Sequence, residues 1–316
     1  MRKWIPTLVL VLIFAAGVVY ASSHNFFRES DPVPQKLIAL SRDAITGIKI
    51  EQTGGEPVEL VKQNGGWAMK MPHAYPLNSY AVDNWLNALE AATAGDVIEE
   101  QPKDPAKYDI GGDNGWNITV TDRDGNLHKL VVGSTLPAGG SSYVQLESGA
   151  VISVAQDSLS GLLLSTTEFT DTTPFEWDKD HLSAMEWEGT SSSWVLKRRE
   201  SGSAWNLNGK KIKEEDASSL SDKLINVATS EQLYSVSELK NESQLFTLTV
   251  TLNDDKAPKV YQGWTTPDQT GTVWIIPPDS NWAYAVTTDV VKEIEQAAKS
   301  IKPTDSKSES GSDSGK

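Results

Sequence analysis

Acids, four histidines and eleven tryptophans are the residues able to do chemistry in this chain, and their spacing argues against most of it. His24, His73, His128 and His181 lie far apart and none sits in an H-E-x-x-H pattern, so they read as ordinary surface or loop histidines. Asp122-Arg-Asp-Gly-Asn126 starts like a calcium loop but lacks the terminal acidic ligand. Its Asp-Gly step supplies a hairpin turn directly. Glu99 and Glu100 would have to face each other across a glycosidic bond to hydrolyse it, whereas neighbours on a strand point to opposite faces. Ser160-Gly161 lacks the glycine two positions before the serine of a nucleophile elbow, and no G-x-G-x-x-G or P-loop pattern occurs. These patterns point to no catalytic, cofactor-binding or metal-binding residue, and the expectation is a protein that is not an enzyme. The tryptophans are the better lead. Trp264, Trp274 and Trp282 fall in the closing hairpins of the chain and form a candidate binding surface, where exposed rings would stack on a glycan or pack on a partner. Trp67, Trp85, Trp187, Trp194 and Trp205 read instead as core, sealing sheet against helix.

The elements that must position these residues come twice. Residues 59–92, ELVKQNGGWAMKMPHAYPLNSYAVDNWLNALEAA, return in weaker form at 194–228, WVLKRRESGSAWNLNGKKIKEEDASSLSDKLINVA. Each copy reads as a strand, a small-residue turn, a short strand opening on Trp67 or Trp205, a linker and an amphipathic helix. Farther on, Ile118 to Thr121 is echoed by Leu248 to Thr251, and Val131-Val-Gly133 by Tyr261-Gln-Gly263. So long a period predicts two related domains in tandem. Asn78 or Ser79 is placed to cap the first helix, Val82, Trp85, Leu86, Leu89 and Ala92 share one face, and Gly95 is placed to end it. In the second copy Ala217, Leu220, Leu224 and Val227 keep that spacing behind an acidic first turn. Alternating Thr46, Ile48 and Ile50, the pair 97–98, and hairpins around 118–132 and 143–154 supply strands, with short helices at 158–164 and 288–297.

Arg2 and Lys3 precede an uncharged apolar run at 4–21, nearly long enough to cross a hydrocarbon core of about 30 Å as a helix. The reading is a single-pass anchor with the body on the extracytoplasmic side; the competing one is a cleaved signal peptide, since Val19-Tyr-Ala21 has the small residues a peptidase accepts. The domain layout is 1–28 anchor or signal segment, 29–43 stalk, 44–180 first repeat, 181–300 second repeat and 301–316 disordered tail. The fold class is α+β, each repeat a mostly antiparallel sheet packed by one main helix. A net charge of -15 speaks against nucleic acid as a partner, and the absence of cysteine excludes disulfides, thiolate metal sites and cysteine catalysis.

The order of strand, Trp strand, helix, Lys107-Tyr-Asp-Ile110 step, Val132-Gly133 strand pair and Tyr143-Val144 strand resembles a bacterial domain-of-unknown-function family, numbered four-three-four-zero. Its members are membrane-anchored, tandemly repeated extracytoplasmic proteins associated with ABC transporter components of the gliding-motility type. The resemblance implies a non-catalytic accessory or binding protein at the cell membrane, with ABC transporter subunits or other envelope proteins as partners. It brings no catalytic residues with it. The alternatives are a cell-wall glycan-binding module and an envelope hydrolase.

Overall fold

The computed structural model describes residues 35–113, 115–199, 204–240, 242–253 and 255–304, together with Phe14 and Tyr20. The segment at 4–21 otherwise lies outside the described residues, as does the expected tail from 305 on, whereas its first residues, 301–304, are docked, with Ile301 packed against the core and the Thr304 amide donating to the Lys211 carbonyl at 2.8 Å. Among the described residues no helix is long and apolar enough to cross a membrane. From Gln35 onward the expected stalk is docked on the first repeat. Leu37 and Ile38 are buried, the Leu37 amide donates to the Ala92 carbonyl, and Arg42 pairs with Asp83 at 2.6 Å.

In the first repeat β1 (Ile45–Gln52), β2 (Val58–Gln63) and β3 (Gly66–Met71) form a meander. Asn64 and Gly65 hold φ of 50° and 85° between β2 and β3, the doubly left-handed turn that a tight hairpin needs. A register shift between Ile45 and Gly47 places Ile45 inside along with Ile48 and Ile50, while Thr46 turns its hydroxyl to the Asp122 carbonyl at 2.9 Å. Helix α1 (Ser79–Ala91) then carries the chain beneath the sheet from one edge to the other. Asn78 caps it, accepting from the amides of Tyr80 and Ala81, and Val82, Trp85, Leu86 and Leu89 are buried. The Trp85 indole donates to the Leu162 carbonyl at 2.9 Å. The helix ends not on Gly95 but on Ala92, whose extended backbone turns the chain away. β4 (Val97–Glu99) lies on the far edge, and β5 (Trp116–Asp122), β6 (Leu127–Thr135), β7 (Ser141–Leu146) and β8 (Val151–Ala155) fill the gap back to it. The order is β3-β2-β1-β5-β6-β7-β8-β4, antiparallel throughout. Short helices α2 (Gln156–Ser160) and α3 (Thr166–Phe169) close the unit; the helix expected at 158–164 thus starts earlier and stops at Gly161.

The second repeat has the same plan. β9 (Leu182–Gly189), β10 (Ser193–Arg198), β11 (Trp205–Leu207) and β12 (Lys210–Ile212) precede α4 (Glu214–Ile225); β13 (Tyr234–Ser235) is the far edge. β14 (Ser243–Leu252), β15 (Lys259–Thr265), β16 (Thr272–Ile276) and β17 (Trp282–Thr287) complete the order β12-β11-β10-β9-β14-β15-β16-β17-β13. Two features depart from the sequence reading. The stretch expected as a linker before α4 contains a further hairpin, because Asn208 and Gly209 both take positive φ and fold β12 back on β11. The closing helix α5 (Thr288–Ser300) is as long as α1 and packs on α4, so this sheet carries two main helices.

Register also corrects part of the echo between copies. Ile118 faces Leu130, whereas Leu248 faces Tyr261, so the second β14–β15 loop is one residue longer and Gly133 is not the partner of Gly263. Each glycine has its own reason. A Cβ on Gly133 would lie 2.2 Å from the Tyr108 carbonyl, and one on Gly263 would lie 2.0 Å from the Phe246 ring.

Candidate functional site

The two copies differ most after their Trp strands, and that difference makes the junction. Where the second repeat has β12, the first has a loop at 72–77 that leaves its own sheet and reaches the second repeat. Tyr75 packs against Trp282 with ring centroids 4.5 Å apart and the rings tilted by 55°, its hydroxyl accepts from Gln232 Nε2 at 2.8 Å, and Trp282 Nε1 donates to the Ala74 carbonyl at 3.0 Å. His73 joins this aromatic group, 5.4 Å from Tyr75. The connecting segment is tied on both sides. The Asp171 amide donates to Pro76, while the Thr229 amide donates to Thr172, and the hydrophobic core runs unbroken from one repeat into the other.

Phe175 and Trp177 then enter the second repeat. Both rings pack on Tyr261, and Trp177 Nε1 donates to Ser221 Oγ at 3.1 Å. Ser221 occupies the helical position that Leu86 holds in α1, which leaves room for the indole.

Beside this junction lies a cleft of about 670 Å³, within the size range of small-ligand sites. Four turn-like segments line it. Pro76 comes from the loop at 72–77; Asp171, Pro174 and Glu176 come from the connection; Asp255, Lys256 and Pro258 precede β15; Pro277, Pro278 and Asp279 precede β17. At its base stand Tyr261 and Tyr284. The Tyr261 hydroxyl donates to the Glu176 carbonyl at 2.9 Å. Burial pushes its pKa up to about 12, with the charges of Glu176 and Asp255 adding to the shift. Tyr284 is 3% exposed, and among the described residues its hydroxyl has no hydrogen-bond partner. Burial first, then the carboxylates of Asp171 and Glu176, raise its pKa well beyond the ordinary phenol value, so it stays protonated and able both to donate and to accept.

The sequence-derived candidates fall elsewhere. Trp264 and Trp274 are direct cross-strand partners on the outer face of the second sheet. Trp274 is only 4% exposed, in a small separate core with Ala283 and Ala285 and beneath Tyr234. Its ring is not free to stack on a ligand. Trp264 packs at the margin of that core, and Trp282 is spent on the junction. Of the five tryptophans expected inside, Trp85, Trp187, Trp194 and Trp205 are buried and Trp67 packs against the core.

Glu99 is held by Lys107 at 2.5 Å and by the Tyr108 hydroxyl at 2.7 Å, which lower its pKa. Asp122 accepts from the amides of Asp124 and Asn126, from Asn126 Nδ2 and, at 3.2 Å, contacts His128; these hydrogen bonds hold its pKa at about 2. Its loop is the hairpin turn between β5 and β6. His181 lies 3.6 Å from Asp178, and His24 is outside the described residues. The cleft itself escaped the sequence reading. Its prolines and acids look like four unrelated turns.

A family model described as Domain of unknown function (DUF4340) matches residues 67–261. No curated protein matches the chain, and no solved structure does.

Proposed function

The chain belongs to the DUF4340 family of domains of unknown function, and we propose that it is a non-catalytic accessory or binding protein whose interdomain cleft holds its ligand. In this reading residues 4–21 anchor it in the membrane, the body stands on the extracytoplasmic side, and it serves as an auxiliary component of an ABC-type transport system. The observation that supports it most is the junction. Two repeats joined by an aromatic contact, two hydrogen bonds donated by the second repeat to the 72–77 loop and a shared core give a cleft with fixed walls, which binding uses to limit the entropy lost on association. Glu99 is committed to Lys107 and Tyr108, and Asp122 to its own turn, which leaves neither of them free for hydrolysis. The tryptophans offer a glycan no flat platform, because Trp274 is enclosed and Trp282 lies in the junction.

Purifying the full-length protein in detergent and identifying what accompanies it by mass spectrometry tests the proposal. An ATPase and a permease are expected, and Glu176→Lys, which reverses the charge at the cleft wall, should remove them. A preparation without transporter subunits, or one in which the variant retains them, would overturn it.

A further inference from the structure

If the cleft is the binding site, its chemistry narrows the ligand. Asp171, Glu176, Asp255 and Asp279 face Lys256 and Lys259 around it, an excess of two negative charges on a chain of net charge -15. Such a surface attracts cations. A bare metal ion does not suit it, because among the described residues no three acidic or histidine side chains come together as a metal site. The acids are strung out instead. Asp171 and Glu176 act on the Tyr284 hydroxyl, and Glu176 and Asp255 act on that of Tyr261, so negative charge runs along the cleft past both phenols. Five prolines and the two tyrosines add apolar wall between the charges. The Tyr284 ring is almost wholly buried, and its hydroxyl, which makes no hydrogen bond among the described residues, lines the cleft and is available there both to donate and to accept.

We propose that the cleft binds a small aliphatic polyamine, with ammonium groups donating to Glu176, Asp171 and Asp255, methylenes lying on the proline and tyrosine walls, and one N–H donating to the Tyr284 oxygen. The proposal rests on the reading of the cleft as the ligand site. It assigns the wall residues distinct roles: the carboxylates neutralise charge, and Tyr284 fixes the position of one nitrogen.

Calorimetric titration of the full-length protein with spermidine tests this. Saturable one-to-one binding is expected, weakened by added salt because the acids are partly exposed. Tyr284→Phe keeps the buried ring and should weaken binding roughly fivefold, the worth of one hydrogen bond, and Glu176→Gln by about tenfold or more. Unchanged melting temperatures would show that both variants fold. Fully N-acetylated spermidine, which has the same chain without the charges, should not bind. Absence of saturable spermidine binding, or binding indifferent to both variants, would overturn the proposal. So would tighter binding of trilysine than of spermidine, which would make the cleft a site for basic peptide. If spermidine fails while Glu176→Lys still strips the copurifying partners, the amine assignment falls and the cleft reading stands; if both fail, the cleft reading falls too.

Discussion

Replacing Trp282 by alanine removes the side chain that joins the repeats, and its cost follows from what the indole touches. A tryptophan buries roughly 150 to 250 Å² when enclosed. Trp282 is partly buried, so about 100 Å² of apolar surface returns to water, worth about 2.5 kcal/mol at about 25 cal/mol per Å². The hydrogen bond to the Ala74 carbonyl adds about 1 kcal/mol, and that carbonyl can rehydrate once the ring is gone. Some of this area stays covered in a compact unfolded chain, which brings the expected loss to about 3 kcal/mol. Urea unfolding read by circular dichroism measures the loss. Hydrogen exchange locates it, and protection should fall in the 72–77 loop as well as in β17, because Tyr75 loses its ring partner. A loss below about 0.5 kcal/mol, or exchange confined to the second repeat, would show that the repeats do not depend on this contact.

Asp122 makes stability sensitive to acid. Its folded pKa, about 2, lies below the ordinary 3.8, so its contribution is complete above pH 3.8 and disappears as pH falls through about 2. Asp122→Asn should flatten the stability curve within that window; an unchanged slope would mean the hydrogen-bonded turn does not carry it. Gly263→Ala puts a methyl into the Phe246 ring and should cost about 1 to 3 kcal/mol by overpacking, measured by thermal unfolding. A neutral result would show that Phe246 can move aside.

The sequence displayed the elements better than their assembly. Asn78, the apolar face of α1 and the Asn-Gly turn before Trp67 are local signals, and each element follows from its own neighbours. β12 depends on an equally local Asn-Gly pair, but its strand is only three residues long, too short for alternation to show. The slip between Gly133 and Gly263 is legible only from pairing, since the two glycines make room for different groups. Trp282 illustrates the harder case. Its type suggested an exposed ring, yet its role comes from Tyr75, 207 residues earlier in the numbering, and no spacing rule reaches that far. The cleft is harder still, because Tyr284 reads as a plain strand residue until the acids of three other segments surround it.

The central claim, a body outside the membrane whose ligand sits between the repeats, can be tested by one labelling measurement that the cysteine-free chain makes clean. Single cysteines would be placed at Lys256 on the cleft rim and at Glu147 in the exposed turn between β7 and β8. Intact cells would then be treated with a membrane-impermeant maleimide, and the rates compared with those of the purified protein. Both positions should react without permeabilisation, and Lys256→Cys alone should react more slowly on cells, where the cleft is occupied, than after purification. Labelling that requires broken cells, or equal slowing at both positions, would contradict the account.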